Sequence, residues 1–438
     1  MSLYYFHRKL TSVYCILIFF ACFPLFGEKE TSFCVPPWDL DKIADCGVKH
    51  HPEFKMEVLR LKEIQGRKKI SSYFFPSNPN VSGYVSKRSA ASELIPVNSN
   101  HANNFQVMVS QEIYVGGKRE TSIRIADEEF KTQAFRLESV RRNLYFRTLS
   151  LLARYTNYKK EEEVTRGLYD LTKEITRLAQ ARVKEGLAPA MDETLALSEE
   201  LRMAKLWQQS KRKTEQSHGE ISILLGLPTE KNFVWEGSFH FENGLPGEKE
   251  KIIEIALRNR PEISLSEKEI QLAMLRLEEV KLQKIPNLSF GAFVQNDGFN
   301  ERVIGGQVSM PLTLWRDYEG ETLVAKSKQE QSLETKESVE RIIKQEVINA
   351  VSNYLTLKEE YSLFSKDILK QTDTDLQFLK EALRLGQIKV IDALNSQRVL
   401  YQTKLNHSQT GADFALSQIE LVRVLGLEET TLTLGGKL

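Results

Sequence analysis

Hydrophobic and polar positions along this chain follow two different periods, and the period changes in the same order twice. The stretches from Leu40 to about Ser72 and from Ile252 to about Lys284 carry apolar residues at helical spacing, and each stops before a proline, Pro76 or Pro286. Strict alternation comes next. Phe105, Val107 and Val109 alternate with Gln106, Met108 and Ser110, while Leu288, Phe290, Ala292 and Val294 alternate with Ser289, Gly291 and Gln295, a pattern that predicts strands with one apolar face. Two strands are expected per copy: about 80–87 and 105–115, then about 288–296 and 303–314. The segments joining them differ, since 89–104 is polar and rich in Ser and Asn whereas 297–300 is a short turn.

Helical spacing then resumes over much longer runs. Ile343, Val347, Ala350, Tyr354, Leu357, Tyr361, Phe364 and Ile368 keep a four-three rhythm, and Leu144, Thr148, Leu151, Tyr155 and Tyr158 keep the same rhythm upstream, as in a coiled-coil seam. No proline interrupts Gly117 to Lys184, so one helix of about 65 residues would reach roughly 100 Å. Nothing of that length fits inside an ordinary globule.

Short motifs show that the two halves are copies. Gly186 precedes Asp192 as Gly386 precedes Asp392, and Leu224-Leu225-Gly226-Leu227 matches Val424-Leu425-Gly426-Leu427, each 200 positions apart. His51-Pro52-Glu53 likewise matches Arg260-Pro261-Glu262. A repeat of this length usually needs neighbours to bury its faces. The expected organisation is a signal segment at 1–27, a first repeat at 39–228, a linker at 229–250, a second repeat at 251–428 and a tail at 429–438. Gly186 and Gly386 act as turn glycines between antiparallel helices, and Pro189 suits the first turn of a returning helix.

Composition narrows the function classes. The chain has 438 residues with 60 basic and 59 acidic side chains and a net charge of +1, so no bulk charge calls for nucleic acid. Arg8 and Lys9 precede an apolar run from Leu10 to Phe26, with small residues at Ala21 and Gly27, which reads as an export signal. Cys22 follows Phe19-Phe20-Ala21 and is either a lipid acceptor ending the signal at 21 or an apolar residue of a cleaved segment. Cys34 and Cys46, exported to an oxidising compartment, are the candidate disulfide pair. No cysteine or histidine spacing matches a zinc site, so neither a metal centre nor another cofactor is expected.

Four strands in two hairpins cannot close a barrel, and an exposed sheet edge is not tolerated in lipid, so other copies must complete the sheet. The duplicated helix-strand-strand-helix-helix order, the paired Gly-x5-Asp hairpins and the Leu-Gly-Leu ends resemble the TolC-like outer membrane efflux family from about Asp39 to Glu428. That resemblance implies a mainly α chain with a small β part, which forms a long coiled-coil α-barrel continuous with a trimeric, 12-stranded transmembrane β-barrel. It also implies a cell outer membrane location extending into the periplasm, with outer membrane lipid around the barrel. The partners implied are two more copies of the chain, a periplasmic adaptor and an inner membrane efflux pump. Val308 to Asp317, with Gly320 after it, resembles the strand-to-helix join of the cation and heavy-metal efflux branch. Metal cations are then the favoured cargo, with drugs or other small molecules as the second choice.

Carried onto this sequence, the family's adaptor-docking positions are Gly186, Leu187, Leu385 and Gly386, and Asp192 and Asp392 lie near the periplasmic aperture. Where some relatives carry a second acidic residue, this chain has Asn395. The two aspartates also fit a plainer role as helix-start residues favoured by the helix dipole. His50 and His51 read as solvated surface, Gly116-Gly117 as a strand-to-helix hinge, and Tyr155 and Tyr354 as seam packing. Trp315 and Tyr114 fit either an aromatic girdle or ordinary packing. No acid/base pair or nucleophile stands out, so no catalytic residues are expected. A passive exit duct is the favoured function, and a periplasmic or secreted coiled-coil scaffold is the alternative.

Overall fold

The computed structural model describes residues 40–87, 103–227, 238–241, 248–296, 302–364, 366–427 and 432–435. The chain divides into two units, Met1–Val35 and Pro36–Leu438, and every described residue belongs to the second. Cys22 and Cys34 lie outside the described residues.

Each repeat opens with a broken helix where the hydrophobic pattern predicts a continuous one. α1 (Leu40–His50) gives way to α2 (Pro52–Ser71), and α5 (Lys249–Asn259) gives way to α6 (Pro261–Gln283). The cause is the proline that opens the second helix of each pair, because its ring crowds the preceding residue out of the helical region. His51 and Arg260 accordingly sit in extended conformations at ψ 131° and 125°. His51 is a helix cap rather than free surface, since its Nδ1 accepts the Glu53 backbone N–H at 3.2 Å.

The strands are β1 (Asn80–Lys87), β2 (Asn103–Ile113), β4 (Leu288–Asn296) and β5 (Arg302–Ser309), in the antiparallel order β1-β2-β4-β5. Pairings of Val109 with Val81 and Ala292, and of Val294 with Val107 and Ile304, put every apolar alternation on one face. That face presents Val81, Val85, Phe105, Val107, Val109, Leu288, Phe290, Ala292, Val294, Ile304 and Val308. Its reverse presents mostly Ser, Asn and Gln, with Tyr84, Met108, Phe293 and Val303 among them. Strands of 8 to 11 residues with one apolar face suit a tilted membrane crossing. β5 ends earlier than the alternation predicts, because Pro311 has no N–H to give to a ladder.

Long helices run on from the sheet. α3 (Lys118–Lys184) is 67 residues long, about 100 Å at the α-helical rise, and starts at Gly117 with φ 79°. α4 (Ala190–Leu224) returns along it. In the second repeat the matching path is divided into α7 (Glu319–Ser362) and α8 (Lys366–Arg384), followed by the returning α9 (Val390–Leu425). The predicted seam through Phe364 and Ile368 therefore crosses a backbone break. At that break the Phe364 ring turns edge-on to His407, which stacks on Tyr361.

Buried apolar residues form separate layers along this length. One joins Ile252, Ala256, Ile343, Val347, Tyr354, Leu421 and Val424, and another lies far along the helices. Segments 229–250 and 429–438 each hold a short strand, β3 (Ser238–Phe241) and β6 (Leu432–Gly435), which pair antiparallel. Among the described residues no helix is long and apolar enough to cross a membrane.

Candidate functional site

Two places in this architecture can act on a passing solute or a partner: the helical hairpin tips and the concave wall between helices. At the tips, both glycines close the same turn. Gly186 has φ 72° and donates to Val183 O at 3.0 Å, while the Leu187 N–H reaches Arg182 O at 2.8 Å. Gly386 has φ 73°, with Gly386 N–H to Leu383 O at 3.1 Å and Gln387 N–H to Ala382 O at 2.9 Å. Such paired bonds satisfy the last carbonyls of a helix and require a left-handed residue, which favours glycine.

The turns put large apolar side chains into solvent. Leu187 is 66% exposed and Leu385 58%, and Met191 and Ile391 are exposed beside them. Below them, Ile175, Ala179, Ala196, Leu383, Val390, Ala393 and Leu394 form one buried cluster, so the two hairpins share a core and present their turns together. Arg182 extends that union, since its guanidinium donates to Leu383 O of the other repeat at 3.4 Å.

Asp192 is half-buried in the first turn of α4, its backbone N–H on Pro189 O at 2.9 Å. Asp392 is exposed in the first turn of α9. Both occupy the helix-start position that the dipole favours. Asn395 is exposed one turn further on and lines a groove of about 620 Å³ with Asp375, Phe378, Leu379 and Val399.

Contacts between repeats that sequence reading missed run the length of α3. Buried Gln397 donates to Thr172 Oγ1 at 2.7 Å and to Leu168 O at 3.1 Å, and Ser408 Oγ donates to Asn157 Oδ1 at 2.9 Å. Arg142 donates to Leu427 O at 2.7 Å. Near the proline of the second repeat, Arg260 grips Glu262 at 3.1 Å and also Glu346, with Arg423 beside them. Burial alone would raise the Glu262 carboxyl, but hydrogen bonding to Arg260 and its charge bring it below the usual range. Only the Arg-Pro-Glu triplet signals this cluster in the sequence; its partners lie far along the chain.

The helices α2, α3, α6 and α7 lie side by side as continuations of the four strands. A cavity of about 1160 Å³ touches all four, including the two outermost, so it lies on their concave side. Its lining includes Glu129, Glu269, Glu279 and Glu321 together with Arg67, Arg136, Arg276 and Lys328. Arg136 pairs with Glu269 at 2.6 Å and Arg276 with Glu129 at 2.8 Å. Burial pushes the Glu279 carboxyl up, Arg276 opposes it and Glu129 adds to it. Among the described residues no group of three or more His, Cys, Asp or Glu could hold a metal ion.

Cys46 is buried in α1 with Sγ 3.7 Å from Leu225 O, and it is disulfide-bonded. Tyr155 faces His218, Tyr354 stacks on Phe414, and Trp315 is 94% exposed.

Solved structures of similar fold are membrane proteins. The Campylobacter jejuni CmeC outer membrane channel superposes with a TM-score of 0.70 at 17% identity, over 88% of this chain and 85% of that one. A membrane protein from Pseudomonas aeruginosa gives a TM-score of 0.72 at 15% identity, over 90% and 92%. The outer membrane protein VceC from Vibrio cholerae gives 0.68 at 14%, over 88% and 96%. Identities this low speak for the fold alone. The sequence matches no curated protein. The sequence profile of the outer membrane efflux proteins matches residues 56–226 and 252–427, one match per repeat, and so this chain belongs to the outer membrane efflux protein family and works at the outer membrane as a transport channel.

Proposed function

We propose that this protein is the exit duct of a tripartite efflux assembly: a passive homotrimer that receives cargo from an inner membrane pump through a periplasmic adaptor. The observation that carries this reading is the four-stranded sheet, apolar on one face and open at both edges, joined to long helices of which α3 alone runs about 100 Å. Such a sheet is stable in lipid only when closed, and three copies would give twelve strands. The shared, apolar hairpin tips supply a docking surface at the far end, with Gly186, Leu187, Leu385 and Gly386 at its centre. Asp192 and Asp392 would ring the aperture, Asn395 leaving the second ring position neutral. Metal cations are the cargo we put forward, on the likeness of Val308 to Asp317 to the cation-efflux branch.

Detergent-extracted protein should have three times the protomer mass, and a water-soluble monomer after membrane fractionation would overturn the duct in favour of the scaffold reading. Loss of the gene should lower tolerance to metal cations, and unchanged metal tolerance with lowered drug tolerance would reassign the cargo. At the N-terminus, Cys22→Ala should abolish fatty-acid labelling if Cys22 is the acceptor. Peptide mapping without reductant should recover Cys34 linked to Cys46.

A further inference from the structure

The connectors at the helix end of the sheet are unequal, and the inequality follows the sheet edges. All four strands meet their helices at one end, because Asn80 pairs with Ser110, Ile113 with Leu288 and Ser289 with Ser309. The connector entering edge strand β1 exposes Tyr73, Phe74 and Phe75, with Phe74 71% exposed. The connector leaving the opposite edge strand β5 exposes Leu312, Leu314 and Trp315. Between the two central strands and their helices, the only large exposed apolar side chain is Ile285. A lipid belt would need all four connectors to be apolar. An apolar surface confined to the two edges belongs to whatever meets those edges.

Both edge connectors are also tied to a helix of their own protomer. Arg119 donates to Ser72 O at 3.0 Å and Tyr73 O at 3.2 Å and lies over the Phe74 ring, while Arg316 lies over Tyr318 and pairs with Glu321. Resting on the trimeric reading above, we infer that the 310–316 segment of one protomer clasps the 73–75 aromatics of the next copy, with Trp315 as the central side chain. Antiparallel closure brings these segments together, since β5 runs toward this end and β1 runs away from it. Buried aromatics are the usual anchors of such contacts.

The test uses the full-length protein in outer membranes carrying Phe74→Cys and Trp315→Cys together, treated with a bis-maleimide, with each single variant as control. Cross-linked dimers and trimers in the double variant only, on denaturing gels, are the expected result. A trimer by native mass that yields no cross-link overturns the clasp and leaves the duct intact; a monomer by native mass overturns the duct reading itself. Independently, Trp315→Ala with Phe74→Ala should lower the temperature at which the trimer dissociates, and an unchanged temperature also counts against the clasp. If lipid covers these rings instead, brominated phospholipid will quench Trp315 fluorescence in a Trp315-only background and the cross-link will be missing.

Discussion

Three glycines share one backbone conformation but not one environment, which separates two contributions to their replacement. Gly186, Gly226 and Gly426 have φ of 72°, 64° and 67°. Alanine in the left-handed region costs about 1–2 kcal/mol at each. At Gly186 a new Cβ meets nothing within 4 Å, so the backbone term stands alone. At Gly226 it would come within 2.8 Å of the His50 ring, a side chain rather than backbone. At Gly426 the nearest atoms are Asn259 Cβ at 2.8 Å, Asn259 C at 2.9 Å and Arg260 N at 3.1 Å. These cannot shift freely, because Arg260 is fixed by Glu262 and Glu346. Overpacking against a held backbone adds about 1–3 kcal/mol. The expected losses are therefore about 1–2 kcal/mol for Gly186→Ala and about 2–5 kcal/mol for Gly426→Ala, with Gly226→Ala between. Urea unfolding of purified protein, followed by far-ultraviolet circular dichroism, measures the order. Equal losses at 186 and 426 would refute the steric account.

Other outcomes follow from the same geometry. Leu187→Asp and Leu385→Asp should abolish efflux without changing the oligomer, because they would place charge in the proposed docking surface; normal export would remove the tip from the proposed adaptor interface. Asp392→Ala should alter single-channel conductance in planar bilayers and weaken cation preference, since it would remove one charge per copy from the proposed aperture, and unchanged currents would leave Asp392 a helix-start residue. Glu262 has its folded value below the ordinary 4.5, so its contribution is complete above 4.5 and fades as pH falls through the lowered value. Glu262→Gln should accordingly be less stable than wild type at neutral pH, with the gap narrowing in acid; a gap that widens in acid would contradict the ion pairing.

What the sequence disclosed was whatever is periodic over short distances. The alternation at Phe105 to Ser110 and Leu288 to Gln295 marks both the strands and their apolar face, and Gly-x5-Asp marks both turns. The breaks at His51 and Arg260 were legible too, in the prolines that follow them, but the apolar rhythm continues past each one and masked it. The same masking hid the break between α7 and α8, where Tyr361 and Phe364 keep their seam spacing while the backbone turns. β3 and β6 are four residues each and pair across most of the second repeat, so no local pattern announces them. Arg182 and Gln397 act through carbonyls and a hydroxyl of the other repeat, and a backbone acceptor leaves no trace in residue identity.

The concave wall has a consequence for how a solute would travel. Four carboxylates and four cationic groups lie there, and two pairs are joined at about hydrogen-bond distance, Arg136–Glu269 and Arg276–Glu129. Opposite charges so close form local dipoles, whose field dies away faster than that of a lone charge and is screened beyond about 8–10 Å at physiological salt. Along the axis of a wide bore such a wall is nearly silent, so a charged cargo finds neither a well to sit in nor a hill to climb. In the proposed duct, transit through that stretch would then be plain diffusion, set by width and length, and discrimination between solutes would fall to the proposed aperture and to the proposed pump.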